Sequence, residues 1–278
     1  VATGLLLAAG AEAHTLSVCP QGCAYSDIQT AADAAAEGDI VRLHAGIYTP
    51  TTYRDIAYGD LTLRGFILLD NRRLTIEGED GAVLDGAGGI ATSAFVIQGG
   101  DVRIHHLAIR NFHAVDTKDN IYDGHGIFQV GGRTRLSDLT IENVTKMALV
   151  VREEGMSQGT RVKIVHNGVG IWIDEKARLE LKASLVEANT YSGLAVYASS
   201  RTDLRAVTFR HHTDDAVFID GQARVRVKNS IFTDNKPFVF NLNDRGVFSV
   251  SGSQFCRNEA VSKAGLDALG PSNRACKE

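Results

Sequence analysis

The chain has 278 residues, with 29 Lys and Arg against 33 Asp and Glu and a formal net charge of -4. The two signs are mixed along the sequence, with no run of basic residues of the kind a phosphate backbone demands, so nucleic acid is not an expected partner. Beyond the first residues, no apolar run is long enough to cross a bilayer as a helix.

The first residues, VATGLLLAAGAEA, run apolar into an A-x-A site at Ala11 to Ala13. Residues 1–13 read as the remnant of a signal peptide, which implies export to the periplasm or the extracellular space. The alternative is an ordered N-terminal strand through Leu5 to Leu7. Next, SDIQTAADAAAEGD pairs Ser26 with Gln29 as a capping box and puts Ile28, Ala31, Ala32 and Ala35 on one face before Gly38. A short amphipathic helix of this kind suits the lid of a solenoid, whose end coil otherwise exposes core and strand edges. Strand residues follow from Ile40 to Tyr48.

From Ala94 the chain repeats. Segments beginning at Gly126, Ala148, Gly170, Gly193, Ala216 and Phe238 are spaced by 22 or 23 residues. Three apolar columns emerge: Leu149, Ile171, Leu194, Val217 and Val239; Ile104, Leu136, Leu181, Leu204, Val227 and Val250; Ile109, Ile141, Ile164, Val186, Phe209, Phe232 and Phe255. Three columns per coil predict three strands whose inward residues stack on like residues above and below. The fold expected is all-β: a single-stranded right-handed parallel β-helix over residues 14–260, with a short N-terminal capping helix and a tail at 261–278. At the corner after the third strand stand Asn167, Asn189, His212, Asn235 and Asn258, a ladder able to satisfy turn backbone and tolerate left-handed conformations.

Four cysteines suit an oxidising compartment. With roughly eight or nine coils at about 4.8 Å each, the ends lie on the order of 40 Å apart, too far for a bond between them. Cys19 therefore pairs with Cys23, and Cys256 with Cys276, tying back the tail. Neither pair has the neighbours a zinc site needs.

The N-terminal stretch CAYSDIQTAADAAAEGDIVRLHAGIY, then LTIEG, then repeats such as GIWIDEKARLELKASLVEAN, resembles the pectin-lyase-like superfamily over roughly residues 16–260. That resemblance implies the β-helix and a substrate groove on the outer face of each coil's first strand. It leaves the chemistry open among lyases, glycosidases, esterases, epimerases and non-catalytic surface proteins.

Strand alternation exposes two rows on that face. Val150, Trp172, Ala195, Phe218 and Phe240 form an apolar row, suited to stacking on sugars or to cover by the C-terminal tail or a second subunit. Arg152, Asp174, Tyr197, Asp220 and Leu242 form the other. Here Arg152 suits a uronate carboxylate, Asp174 and Asp220 suit calcium, and Tyr197 suits acid or base work; a ladder of surface ion pairs is the alternative.

Two clusters flank these rows. The step from Ala94 to Gly126 exceeds the standard coil by about ten residues and supplies the loop HAVDTKDNIYDGHG, which carries Asp116, Lys118, Asp119, Tyr122, Asp123 and His125. Its DGH is similar to the D-P-H motif of alginate C-5 epimerases, with Gly124 in place of proline. HHTDDAVFIDG is similar to the paired-aspartate segment of polygalacturonases, with Asp214 and Asp215 on the matching positions, but NTYSG stands where that family has N-T-D and half of an inverting carboxylate set is missing.

The activity expected is that of a lyase or C-5 epimerase on a uronate-containing polysaccharide. Arg152 or Lys118, or calcium, neutralises the carboxylate, and Tyr122, Tyr197 or His125 removes the C-5 proton, with Asp123 beside them. Trp172, Phe218, Asp214 and Asp215 bind substrate. A non-catalytic glycan-binding or surface-structural solenoid is the second expectation, and a glycoside hydrolase using Asp214 and Asp215 the third.

Overall fold

Short strands spaced by one coil length cannot bury their inward faces alone, so they stack. The structure, a computed structural model describing residues 12–115, 121–262 and 270–276, is a parallel β-helix. Among the described residues the strands form a 17-stranded and a 10-stranded sheet. A representative coil runs from Met147–Arg152 in the smaller sheet into Met156–Val165 in the larger one, then back to Val169–Ile173 in the smaller.

Registers confirm the columns. Ile109, Ile141, Ile164, Val186, Phe209, Phe232 and Phe255 pair in succession, and Phe209, Phe232 and Phe255 stack ring on ring at 5.4 and 5.2 Å. In the second column Gly159 stands between Leu136 and Leu181. The first column departs at the last coil, where Val217 pairs with Phe240 rather than Val239. Phe240 is therefore fully buried, stacked on Phe248 at 4.5 Å, and Leu242 sits inward opposite Ile219. The outward positions belong to Asn241 and Asn243. A Phe-Val-Phe run carries no alternation of its own, and aromatic packing with Phe232 and Phe248 decides the register.

Each coil turns three corners, each built on a left-handed residue. Eighteen described non-glycine residues have φ between 47° and 64°, and they stack as three columns, among them Glu153 with Glu175, Arg161 with Ala183, and His166 with Ala188. At the ladder corner the left-handed residue is the one before each Asn, not the Asn itself. The Asn serves the backbone instead. Asn167, Asn189, Asn235 and Asn258 each donate from Nδ2 to the third-column carbonyl of the preceding coil, Ile141, Ile164, Phe209 and Phe232. His212 keeps the pattern, with Nε2 3.2 Å from the Val186 carbonyl. Its larger ring needs Gly193, because a Cβ there would lie 2.6 Å from Nε2.

The N-terminal end is closed by helix Ile28–Ala34, which buries Ile28, Ala31 and Ala32. Its cap is Asp27, not Ser26: the carboxylate accepts from the N–H and hydroxyl of Thr30, both at 2.7 Å. Gln29 turns instead to the Leu68 backbone, accepting from its N–H at 2.7 Å and donating to its carbonyl at 3.1 Å, which occupies both ends of the amide. Cys19 is bonded to Cys23 and Cys256 to Cys276, with Cα separations of 5.5 and 5.0 Å. Residues 1–11, 263–269 and 277–278 lie outside the described residues.

One element departs from the coil pattern. Arg54–Tyr58 pairs antiparallel with the start of Leu61–Asp70, and this hairpin folds over the outer face of the smaller sheet. Finally, the reading of charge as evenly mixed fails in space. A period-two strand repeated every 23 residues gathers alternate residues onto one face, and on three consecutive coils of the larger sheet those residues are largely Arg and Lys.

Candidate functional site

The outer face of the smaller sheet is closed at one end and open at the other. Val96, Phe128 and Val150 are fully buried there beneath Leu63, with Ile56, Tyr58, Tyr122, Met147 and Trp172 packed around them. The hairpin covers this end of the apolar row, and residues 263–269 of the C-terminal tail lie outside the described residues. Ala195 is also buried. The row emerges at Trp172 and Phe218, both half-buried.

There the two outward rows interlock. The Trp172 indole stacks on the Tyr197 ring at 4.2 Å with 27° between planes, and Tyr197 leans against Phe218 at 5.6 Å. Three aromatic rings from three successive coils thus make one platform. Burial, then the charges of Asp220, Asp174 and Asp214, push the Tyr197 phenol up to about 12. It is a proton donor at neutral pH and becomes a base only in alkali.

Arg152 does not stand free. Its Nη2 lies 3.0 Å from Glu175 Oε1 and 3.5 Å from Asp174 Oδ2, and the guanidinium sits 5.4 Å from the centre of the Tyr58 ring. The Tyr58 hydroxyl in turn lies 3.5 Å from Glu175 Oε1. This is the ion-pair ladder weighed for the second row, extended by two partners, Tyr58 and Glu175, that the row pattern does not contain.

Asp174 and Asp220 flank Tyr197 from the coils on either side. Asp174 accepts from the Glu175 N–H at 2.7 Å as well as facing Arg152. Two carboxylates, one already engaged, fall short of the roughly six to eight oxygens calcium takes, and the described residues hold no cluster of three metal-ligating side chains. The residues present do not fit calcium.

The loop cluster divides. Lys118, Asp116 and Asp119 lie outside the described residues. Asp123 and His125 are fully buried beneath Tyr122. Asp123 lies 3.6 Å from Lys146 Nζ and accepts from the Val115 N–H at 3.2 Å, and Lys146 also faces the Tyr122 ring at 5.0 Å. His125 packs against Tyr122 and Phe128 at 5.0 and 5.1 Å, and its burial together with the Lys146 charge depresses its pKa to about 3. A neutral imidazole and a buried carboxylate do not reach a polymer on the surface. Lys146 escaped the sequence reading because no spacing links it to Asp123.

Asp214 and Asp215 also part. Asp214 is exposed, whereas Asp215 is buried and its Oδ2 accepts from Asn241 at 2.6 Å. The pair does not present two carboxylates to one bond, which removes the geometry a hydrolase needs from it.

The comparisons agree with this architecture. A family described as a right handed beta helix region matches residues 92–273. Pectate lyase Pel9A superposes with a TM-score of 0.71 at 13% identity, covering 89% of this chain and 70% of that one. The ORF18 protein of Geobacillus virus E2 gives 0.61 at 13%, covering 89% of this chain and 56% of the viral one. An alginate lyase from Paenibacillus sp. gives 0.57 at 13%, covering 90% and 97%. At such identity the likeness is one of fold. No curated protein sequence matches the chain.

Proposed function

We propose, from the premise that the chain belongs to the right-handed β-helix family, that it acts on a uronate-containing polysaccharide as a lyase or C-5 epimerase. The observation that carries this is the Trp172–Tyr197 stack, which puts an acid–base phenol on a surface shaped for a sugar ring. With the pyranose on the Trp172 side, the Tyr197 phenolate takes the C-5 proton and the electron pair of that bond passes into the adjacent carboxylate group. In a lyase the pair then expels the O-4 leaving group, which takes a proton from water, and forms the C-4 to C-5 double bond; in an epimerase water returns a proton to C-5 from the opposite face. Arg152 stabilises the developing negative charge once the uronate carboxylate replaces Glu175 at the guanidinium. The two disulfides suit an oxidising, secreted setting.

Incubation with alginate, polygalacturonate, chondroitin and hyaluronan tests the proposal, read by absorbance of unsaturated products and by loss of the C-5 proton signal in heavy water. Product or exchange from one uronan is expected, and silence from all of them sinks it. A second reading, retention of glycan without turnover, is favoured by one observation. Arg152 Nη2 is already paired with Glu175 and Asp174 without any substrate.

A further inference from the structure

The larger sheet carries a surface of opposite character on a different flank. In three consecutive coils, Arg178, Arg201 and Arg224 pair in register, and four residues further along the same strands Lys182, Arg205 and Lys228 do the same. All six project outward and are exposed. Between the two rails stand Glu180, Asp203 and Arg226. Seven cations therefore meet two carboxylates in a protein whose net charge is -4.

Those carboxylates are spent locally, Asp203 on Arg226 at 3.4 Å and Glu180 on Lys182 at 3.9 Å. Arg178, Arg201, Arg224, Arg205 and Lys228 have no carboxylate within ion-pair reach among the described residues. Like charges about 4.8 Å apart repel, a cost that a fold selected for stability alone would dilute with acids. The N-terminal coils do so: Arg135 pairs with Asp101, and Arg42 with Glu77. The coil beyond ends the patch with Val247, Ser249 and Ser251.

We infer that these two cationic rails are a second binding track for the uronate polysaccharide, holding a stretch of polymer apart from the Trp172–Tyr197 platform. The inference rests on the proposed uronan specificity and deepens it. Coil spacing is close to the rise of one sugar in an extended glycan, and rails about 13 Å apart let successive carboxylates of a flat chain point to alternate sides. Nucleic acid is disfavoured because no aromatic ring projects between the rails for a base to stack on. A lipid surface is disfavoured because no apolar side chain projects between the rails, with Val247 exposed at their end.

Native gels cast with polygalacturonate, with dextran as the neutral control, test this on the full chain. Retardation by polygalacturonate is expected. The triple variants R178E/R201E/R224E and K182Q/R205Q/K228Q should each weaken it roughly tenfold or more, and 0.5 M salt should abolish it by screening. Circular dichroism melting checks that both variants fold; the second removes charge without reversing it. Wild-type retardation in both folded variants overturns the inference, as does tighter binding to duplex DNA or phosphatidylserine vesicles than to polygalacturonate. Rail-dependent retardation with no turnover keeps the track and discards the activity. Turnover with rail-independent retardation does the reverse.

Discussion

Trp172 and Tyr197 stand on neighbouring coils and two positions apart along the strand, yet their rings stack at 4.2 Å. The contact joins the apolar row to the polar one and makes a single surface of both. Trp172→Ala should weaken retention on polygalacturonate about tenfold, in line with loss of an aromatic contact of roughly 1 kcal/mol plus its buried area. Retention equal to wild type assigns the indole to packing alone.

Tyr197→Phe keeps the stack and removes the acid–base group. Turnover of the responsive uronan should fall at least a hundredfold, with KM within about twofold. Because burial and three carboxylates hold the phenol near 12, its base form grows about tenfold per pH unit, so wild-type kcat should climb from neutrality with no plateau below about pH 11. A flat or bell-shaped profile centred near pH 7 excludes Tyr197 as the base.

On the proposed function, Glu175 competes with substrate for Arg152. A half-exposed pair contributes about 1 kcal/mol or less, so Glu175→Gln should lower KM for a uronan roughly two- to fivefold and leave kcat alone. Arg152→Ala should cost at least about a hundredfold in kcat/KM. If Glu175→Gln raises KM, the carboxylate itself holds substrate and the assignment reverses.

Acid should loosen the fold before it reaches the carboxylates. His125 is held neutral to about pH 3 and His212 to about 4, chiefly by burial, whereas both bind a proton near 6.5 once unfolded. The unfolded chain thus binds more protons as pH falls through 6.5, and stability drops in the same direction, by about 2 kcal/mol per histidine at pH 5. Thermal melts from pH 7 to 4.5 should show the decline, and His125→Leu should flatten its share of it. A midpoint independent of pH over that range contradicts the burial of both rings.

Ala188 at the ladder corner has φ of 48°, a conformation that costs an L-residue about 1–2 kcal/mol. Ala188→Gly relieves that strain at the expense of chain entropy, for a net gain of roughly 0.5–1 kcal/mol in chemical denaturation. Destabilisation would mean the methyl packs more tightly than its partial burial implies.

The coil length, the three inward columns and the ladder were legible because each repeats a local environment every 22 or 23 residues, and His212 reads as a ladder member on position alone. The register at Phe240 was not, since an unbroken apolar run carries no phase. Buried status at Asp123, His125 and Asp215 was equally hidden, because it depends on what lies above them.

What the sequence by itself determined was the solenoid and, in the repeating coils before Phe240, the face on which the strand residues lie, both consequences of strand alternation and stacking. Only the tertiary structure decided that a hairpin some hundred residues away brings Tyr58 to Arg152 and Glu175, covers one end of the apolar row and leaves the Trp172–Tyr197–Phe218 platform open. It also turned charges scattered along the chain into two cationic rails. Periodicity is a local property, whereas burial and ion pairing depend on distance in space, which the order of residues does not carry.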